Sequence, residues 1–465
     1  MAHHGLVRAT NDVDVATDEA NVARVRAAAR ELVGVEPSDH ARDGERGSPR
    51  TLGRAKARTP MRVLFLSPAY PAEMVGFARG LAEVGAKVWG VGDTPREELP
   101  ASVKPYLVDY LHVPRILDEH DVMERVSGWL RGMHVDRVLT NWEPLVMLAA
   151  RLRERWGIPG MSVDTVRAFR DKELMKERLR AAGLRVPRSR RVRTAAQARE
   201  AAEEIGYPLV LKPIAGAGCA DTYVVASRQE FEAALPRMGG VSEASCEEFV
   251  EGEELTFDTV CLRGEPVIEN VSQYLPKPLE ASKVEWISPI CISVRDLEQP
   301  RLAGGIALGR AVLDALGMQD GFTHMEWYLT PSGEAVFGEI ACRPGGAGIV
   351  DQMNYTCDVD LYREWARVVC WGHFEADPTR KYNVALIFKR ARGWGHITRI
   401  EGLGDWLRAC GPWVVEERLA RPGTPRRDWK QTQRADGHLV VRHPEWDEAL
   451  RMAMAAARDV QLHAQ

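Results

Sequence analysis

At 465 residues the chain exceeds what one ordinary core accommodates and suggests about three domains. Its 45% hydrophobic and 28% charged residues are those of a globular protein, and a formal charge of −4 gives no electrostatic reason to expect nucleic acid or an anionic membrane surface as partner. No apolar run approaches the ~18 residues of a membrane span, and the N-terminus lacks the apolar core of a secretory signal. Eight cysteines (Cys219, Cys246, Cys261, Cys291, Cys342, Cys357, Cys370 and Cys410) are scattered singly with no CxxC pair. Zinc ribbons and thioredoxin-like chemistry are therefore unsupported, and free thiols in a chain this large suit a reducing cytoplasm, the expected location. Cys342 beside Arg343 reads as a small buried side chain, since no base stands near it in sequence.

Residues 1–60 contain no Phe, Tyr or Trp and show no steady period, so they lack the apolar surface to offset ordering entropy. A disordered tail is expected there, with Met61 as a candidate true start. Arg62–Leu66 is a clean strand, followed by an amphipathic stretch over Glu73–Val84 and a second strand over Lys87–Val91. Arg137–Thr140 is a further strand and Pro144–Trp156 a helix, an alternation that indicates a parallel sheet with helices on its faces. The turn Ser67-Pro68-Ala69-Tyr70 lacks the GxGxxG glycines, which leaves a nicotinamide or flavin dinucleotide site unsupported. A second unit starts near Met161, with helices over Lys172–Ala182 and Thr194–Ile205, the latter closed by Gly206. Strands follow over Leu209–Lys212, Tyr223–Ala226, Cys246–Val250 and Leu255–Leu262. Beyond Lys381 come short strands at Ala385–Phe388 and Trp413–Val415 and a terminal helix over Pro444–Val460.

Three features carry chemistry. Lys212 ends the apolar strand Leu-Val-Leu-Lys and runs into a loop with Gly216 and Gly218, whose backbone N–H groups can turn toward a polyphosphate. Five acids in the eight residues Glu247–Glu254 suggest a hinge strand, Glu247-Glu248-Phe249-Val250, that meets an adenine edge through its backbone, with Glu254 on the ribose hydroxyls. Finally, Glu326 and Glu339 lie in two apolar runs, Phe322–Leu329 and Ala335–Ala341, separated by the turn-like Pro331-Ser332-Gly333-Glu334. A two-residue loop at Ser332-Gly333 sets Glu326 directly opposite Glu339, whereas a three-residue loop with Gly333 in a bulge offsets them by about one position. Facing carboxylates repel unless a cation lies between them, and Mg²⁺ is the simplest such partner. Arg343 follows at once in Arg-Pro-Gly-Gly.

From about Arg62 onward these motifs, in this order, make the chain resemble the ATP-grasp carboxylate–amine ligases, of the biotin carboxylase and D-alanine–D-alanine ligase type and closest to the L-amino-acid ligase branch. The quoted residues are Thr140-Asn141-Trp142-Glu143, Asp171-Lys172, Lys212-Pro213 with Gly216 and Gly218, Glu247–Val250, Glu254, Glu326, Glu339 and Arg343. The resemblance implies an α/β and α+β ATP-grasp fold: a Rossmann-like pre-ATP-grasp domain over 61–160, an ATP-grasp domain over 161–375 with its lid at about 190–250, and a C-terminal α+β subdomain over 376–465. It implies ATP and Mg²⁺ as cofactors, with Mn²⁺ as a substitute. Arg343 and Lys212 would be catalytic; Lys172, Lys212, Gly216, Gly218, Glu247, Glu248, Phe249, Val250 and Glu254 would bind the nucleotide; Glu326 and Glu339 would hold metal. Small-molecule carboxylate and amine substrates are implied, joined through an acyl phosphate, with a homodimer as the oligomeric possibility. Two positions depart from the family pattern: Ala341 stands at a usual Asn, so water would complete the metal shell, and Cys219 stands at a usual Ser. Trp286, Pro289 and His324 are candidates for the acceptor pocket or, for Trp286 and His324, equally for core. A biotin-dependent carboxylase component and a non-catalytic nucleotide-binding module remain as alternatives.

Overall fold

Five residues at Arg62–Leu66 (β1), four of them fully buried, give the centre of a parallel sheet with β2 (Lys87–Gly92), β3 (Leu107–His112) and β4 (Arg137–Leu139), in the order β3-β2-β1-β4. The computed structural model describes residues 60–214, 222–429, 432 and 434–465. The tail expected over residues 1–60 thus lies, but for Pro60, outside the described residues, as do Gly216, Gly218 and Cys219. The helix Met74–Glu83 covers one face of this sheet. Its Phe77 meets Trp365 of the helix Leu361–Trp371 at a centroid distance of 4.9 Å, and Arg79 grips Asp360 at 2.8 and 3.1 Å. These contacts dock the N-terminal sheet on the rest of the molecule. The loops leaving β1 and β4 open at the carboxyl ends of adjacent parallel strands, where ligand crevices form in open α/β sheets.

A second, antiparallel sheet contains β5 (Ser189–Val192), β6 (Leu209–Pro213), β7 (Tyr223–Val225) and β8 (Ala244–Glu248), in the order β5-β8-β6-β7. Thr194 caps the helix Ala195–Ile205, its hydroxyl accepting from Gln197 N–H. The strand expected over Cys246–Val250 is displaced, because its neighbours run out. Leu209 begins β6 opposite Glu248, and Ser189 begins β5 opposite Glu247, so Phe249 and Val250 lie past the strand's end.

The third sheet has nine strands: β9 (Glu253–Leu262), β10 (Glu265–Asn270), β11 (Ser272–Leu275), β12 (Ile290–Ser293), β13 (Gly321–Leu329), β14 (Ala335–Ala341), β15 (Asn383–Phe388), β18 (Val414–Leu419) and β19 (Gly437–His443). They run β14-β13-β9-β11-β12-β15-β19-β18, with β10 also on β9, so the C-terminal strands extend the same sheet. A small sheet of β16 (Arg392–Gly393), β17 (Ile397–Glu401) and β20 (Gln461–Ala464) and the helix Trp446–Asp459 cover its far end.

Period-2 alternation sorts this sheet's side chains. Leu255, Phe257, Met325, Trp327, Phe337 and Ile340 face a core shared with the helix Pro300–Leu316. Glu254, Thr256 and Asp258 of β9, His324 and Glu326 of β13, and Glu339 and Ala341 of β14 take the other face. The β13–β14 hairpin combines the two registers foreseen from its sequence. Thr330 and Glu334 close a three-residue loop, with Gly333 at φ 84°, a backbone conformation a side chain would strain. That loop alone would set Glu326 against Gly338. Instead Gly338 stands unpaired as a bulge between Trp327↔Phe337 and Glu326↔Glu339, and the two carboxylates face each other directly.

Candidate active site

A strand pair fixes the Cα atoms of Glu326 and Glu339 but not their charges. The ammonium that pairs with Glu339 comes from the helix Lys172–Ala181. Asp171 caps this helix by accepting from the N–H groups of Glu173 and Leu174, both at 3.1 Å, and is itself clamped by Arg191 at 2.6 and 2.7 Å. Lys172, the first residue inside the helix, thereby delivers its Nζ to Glu339 Oε1 at 2.6 Å.

The sheet of β5–β8 supplies the opposing charges. Lys212 on β6 reaches Glu247 Oε2 at 3.0 Å, and Lys176, one helical turn after Lys172, pairs with Glu247 Oε1 and lies 3.3 Å from Glu173 Oε1. Burial would raise the Glu247 carboxyl, but the two ammonium groups hold it down at about 2. Burial likewise disfavours the Lys212 ammonium, yet Glu247 and then Glu339 keep its pKa above the ordinary value. Neighbouring Glu248 points the other way, toward Arg185 Nη2 at 2.9 Å and the Arg188 N–H at 3.0 Å. The segment Glu247–Val250 thus has its first carboxylate in the cleft and its second at the rim.

Burial, and then repulsion from Glu326, push the Glu254 carboxyl up. Glu326 goes down: burial opposes its charge, but a hydrogen bond and the charge of His324, followed by Lys212 and Arg343, outweigh it. Arg343 is anchored from the N-terminal domain, its Nε donating to Glu143 Oε2 at 2.5 Å, while Arg170 holds the other oxygen of Glu143 at 2.5 Å. Beside Glu143 the buried Asn141 Nδ2 has no hydrogen-bond partner among the described residues. Trp286 is half-exposed on the loop before β12, with the Arg426 guanidinium 5.4 Å from its ring, and the Pro289 carbonyl accepts from Phe388 N–H at 2.9 Å.

Two sheets thus close on one charged cleft. Residues 169–277, which include Lys172, Lys212, Glu247 and Glu254, match the ATP-grasp domain family. The chain carries an ATP-grasp domain. Among solved structures, an L-amino acid ligase from Bacillus licheniformis superposes with a TM-score of 0.72 at 18% identity, covering 87% of this chain and 99% of that one. Biotin carboxylase from Campylobacter jejuni shares the fold at a TM-score of 0.60, 16% identity and coverage of 86% and 92%. In sequence, the L-arginine-specific L-amino acid ligase of Bacillus subtilis is 29% identical over 261 residues, 54% of this chain and 62% of the relative. The alanine–anticapsin ligase of the same organism is 25% identical over 292 residues, 59% and 62% respectively. The chain therefore spans about three-fifths of the length of these curated relatives.

In the ATP-grasp cleft, Glu326 and Glu339 remain 34% and 37% exposed, open enough for their oxygens to meet a ligand. Among the described residues no three His, Cys, Asp or Glu side chains are placed to enclose a cation by themselves. Two accessible carboxylates, with no third His, Cys, Asp or Glu placed to join them around a cation among the described residues, fit a hard cation such as Mg²⁺ or Mn²⁺ that keeps water and phosphate oxygens in its shell. Lys176, Asp258 and Glu143 gain partners in the cleft that the sequence reading did not give them. For Asp258 the signal was there: Glu254, Thr256 and Asp258 alternate with Leu255 and Phe257 along the strand.

Proposed function

We propose that this chain is an ATP-dependent ligase that joins a carboxylate to an amine, with an amino acid among its substrates and ADP and phosphate as co-products. One observation carries the reading: the opposed carboxylates Glu326 and Glu339 share a cleft with Lys172, Lys212 and Arg343, a set that neutralises and orients phosphate without a covalent nucleophile. Similarity to an L-arginine-specific L-amino acid ligase and an alanine–anticapsin ligase supports an amino-acid substrate.

In this reading Lys172 and Lys212 bind the ATP phosphates, Glu254 accepts from the ribose hydroxyls, and the backbone of Glu247–Val250 meets the adenine edge. Gly216 and Gly218, which lie outside the described residues, would contribute backbone N–H groups to the phosphates. Mg²⁺ or Mn²⁺ held by Glu326 and Glu339 would supply positive charge beside the transferring phosphoryl group. The substrate carboxylate oxygen attacks the γ-phosphorus as the bond to ADP breaks, giving an acyl phosphate. The amine nitrogen then attacks the acyl carbon, phosphate departs, and the nitrogen loses a proton as the amide forms. Arg343, held by Glu143, stabilises the negative oxygens in both steps.

ADP release measured with the proteinogenic amino acids singly and in pairs, with mass spectrometry of the products, tests this. The expected result is ADP and phosphate in equal amounts, accompanied by a product one water lighter than its two substrates. ADP release that requires bicarbonate and no amine would favour a carboxylase component. Nucleotide binding without turnover on any pair would favour a non-catalytic module.

A further inference from the structure

The hairpin that opposes Glu326 and Glu339 also sets a row of residues one step further along the same face. Ala341, His324, Asp258 and Asn270 stand directly opposite one another on β14, β13, β9 and β10. Only the first is apolar. His324 Nδ1 lies 2.5 Å from Asp258 Oδ1, and a carboxylate can only accept, so Nδ1 carries the proton. Asp258, 1% exposed, is fixed in turn: its Oδ2 accepts from Thr256 Oγ1 at 2.7 Å and from Asn270 Nδ2 at 3.3 Å. Asn270 is held by Arg380 Nη2 at 2.8 Å. This chain of bonds locks the imidazole plane. Its free end, Nε2, lies 3.7 Å from Glu326 Oε1.

Glu339 has the Lys172 ammonium on it, whereas among the described residues the ring that stands against the Glu326 carboxylate is His324, an ion pair when Nε2 is also protonated. The small neighbours of the ring make its placement possible. The Ala341 methyl faces it across the hairpin, and at Gly345 an added Cβ would come within 3.0 Å of His324 Nδ1 and 2.6 Å of Ile349 Cδ1. The absence of a side chain at Gly345 thus allows the loop that carries Arg343 to close onto the histidine.

We propose that His324, anchored by Asp258, is the positioning residue for Glu326: it aims that carboxylate into the cleft and takes up the space left open by Ala341. A glutamate on a strand retains three side-chain torsions, and a partner that holds its ligand's direction is typically worth 10–100-fold in metal affinity. The inference rests on the proposed site only so far as that site binds nucleotide with a divalent cation.

The test is Mn²⁺ binding to the full chain in the presence of ADP, read by electron paramagnetic resonance, with thermal melting as the control for folding. His324→Asn places an amide near Nδ1, keeps the bond to Asp258 and loses the reach toward Glu326. His324→Gln places its amide near Nε2 and keeps that reach. We expect Mn²⁺ affinity to fall at least tenfold in His324→Asn and to stay within about threefold of wild type in His324→Gln. Asp258→Asn, which preserves the shape of the buried row, should weaken Mn²⁺ severalfold and gives the same test should His324→Asn fold poorly. Equal Mn²⁺ affinity in wild type, His324→Asn and Asp258→Asn would overturn the positioning role while leaving the ligase reading intact. A wild type that binds no Mn²⁺ with ADP would remove the site reading and this inference together.

Discussion

Replacing Glu247 with Gln would strip the one negative charge that Lys176 and Lys212 share, in a place where water cannot compensate. Lys176 is 1% exposed and keeps only Glu173, at 3.3 Å, as a charged partner. The Glu247 carboxyl, lowered from 4.5 to about 2, is stabilised by roughly 3 kcal/mol at ~1.36 kcal/mol per tenfold change. That lies at the lower edge of the ~3–5 kcal/mol typical of breaking a buried ion pair from one side. With an unfolding entropy of about 2.1 cal/mol/K per residue and about 400 described residues, a loss of this size lowers Tm by about 4 °C if the body melts as one unit. Because the folded-state value is depressed, the stabilisation is full above the ordinary carboxyl value and is lost as pH falls through about 2. Melting wild type and Glu247→Gln side by side from pH 7 down to pH 3 should therefore show a gap of about 4 °C that narrows below pH ~4.5. Glu248→Gln, one residue on but facing Arg185 and Arg188 at the rim, should cost about 1 kcal/mol or less. Identical melting of wild type and Glu247→Gln at pH 7 would refute the electrostatic account of how the β5–β8 sheet is attached.

Lys212→Ala should lower ADP release by about 10²–10³-fold while leaving a folded protein, since Glu247 retains Lys176; near wild-type turnover would contradict phosphate binding by Lys212. Glu143→Gln should release Arg343 and Arg170 from their shared carboxylate, cutting kcat at least tenfold with little change in ATP affinity; an effect confined to the KM for ATP would place Arg343 elsewhere in the cycle. Glu254→Gln should stabilise the ligand-free protein. Burial and Glu326 hold this carboxyl above its ordinary value, so its ionisation costs stability as pH rises. The gain in Tm should be absent at pH 4 and present at pH 9, and a gain equal at both would point to packing instead.

How far the sequence could be read depended on whether a feature was local. The strand at Arg62–Leu66, the helices that begin near Lys172 and Thr194 and the turn at Pro331–Gly333 each declare themselves within a few residues, and the structure contains each of them. The facing of Glu326 and Glu339 was reachable only as one of two registers, because the bulge at Gly338 depends on how β14 lies against β13. Lys176 was missed for a related reason. It reads as one more charged residue on an amphipathic helix, and only the strand β8 that carries Glu247 turns its position into an interior one. The limits of β8 followed from where β5 and β6 begin, more than fifty and thirty residues away, which composition around Phe249 cannot reveal.

The pairing of β12 with β15 sets a limit on how this chain can be divided. Ile290–Ser293, buried along its whole length, hydrogen-bonds on one side to β11, beside the strands of the cleft, and on the other to Asn383–Phe388. Cutting the polypeptide anywhere between residues 294 and 382 would leave four apolar or small residues as a bare edge, the kind of surface that recruits strands from other molecules. The segment after residue 383 is therefore bonded into the same slab of backbone that holds Glu326 and Glu339. Strain or loosening at the far strands has a continuous hydrogen-bonded route to the carboxylates, and the two ends of the molecule should lose amide protection together.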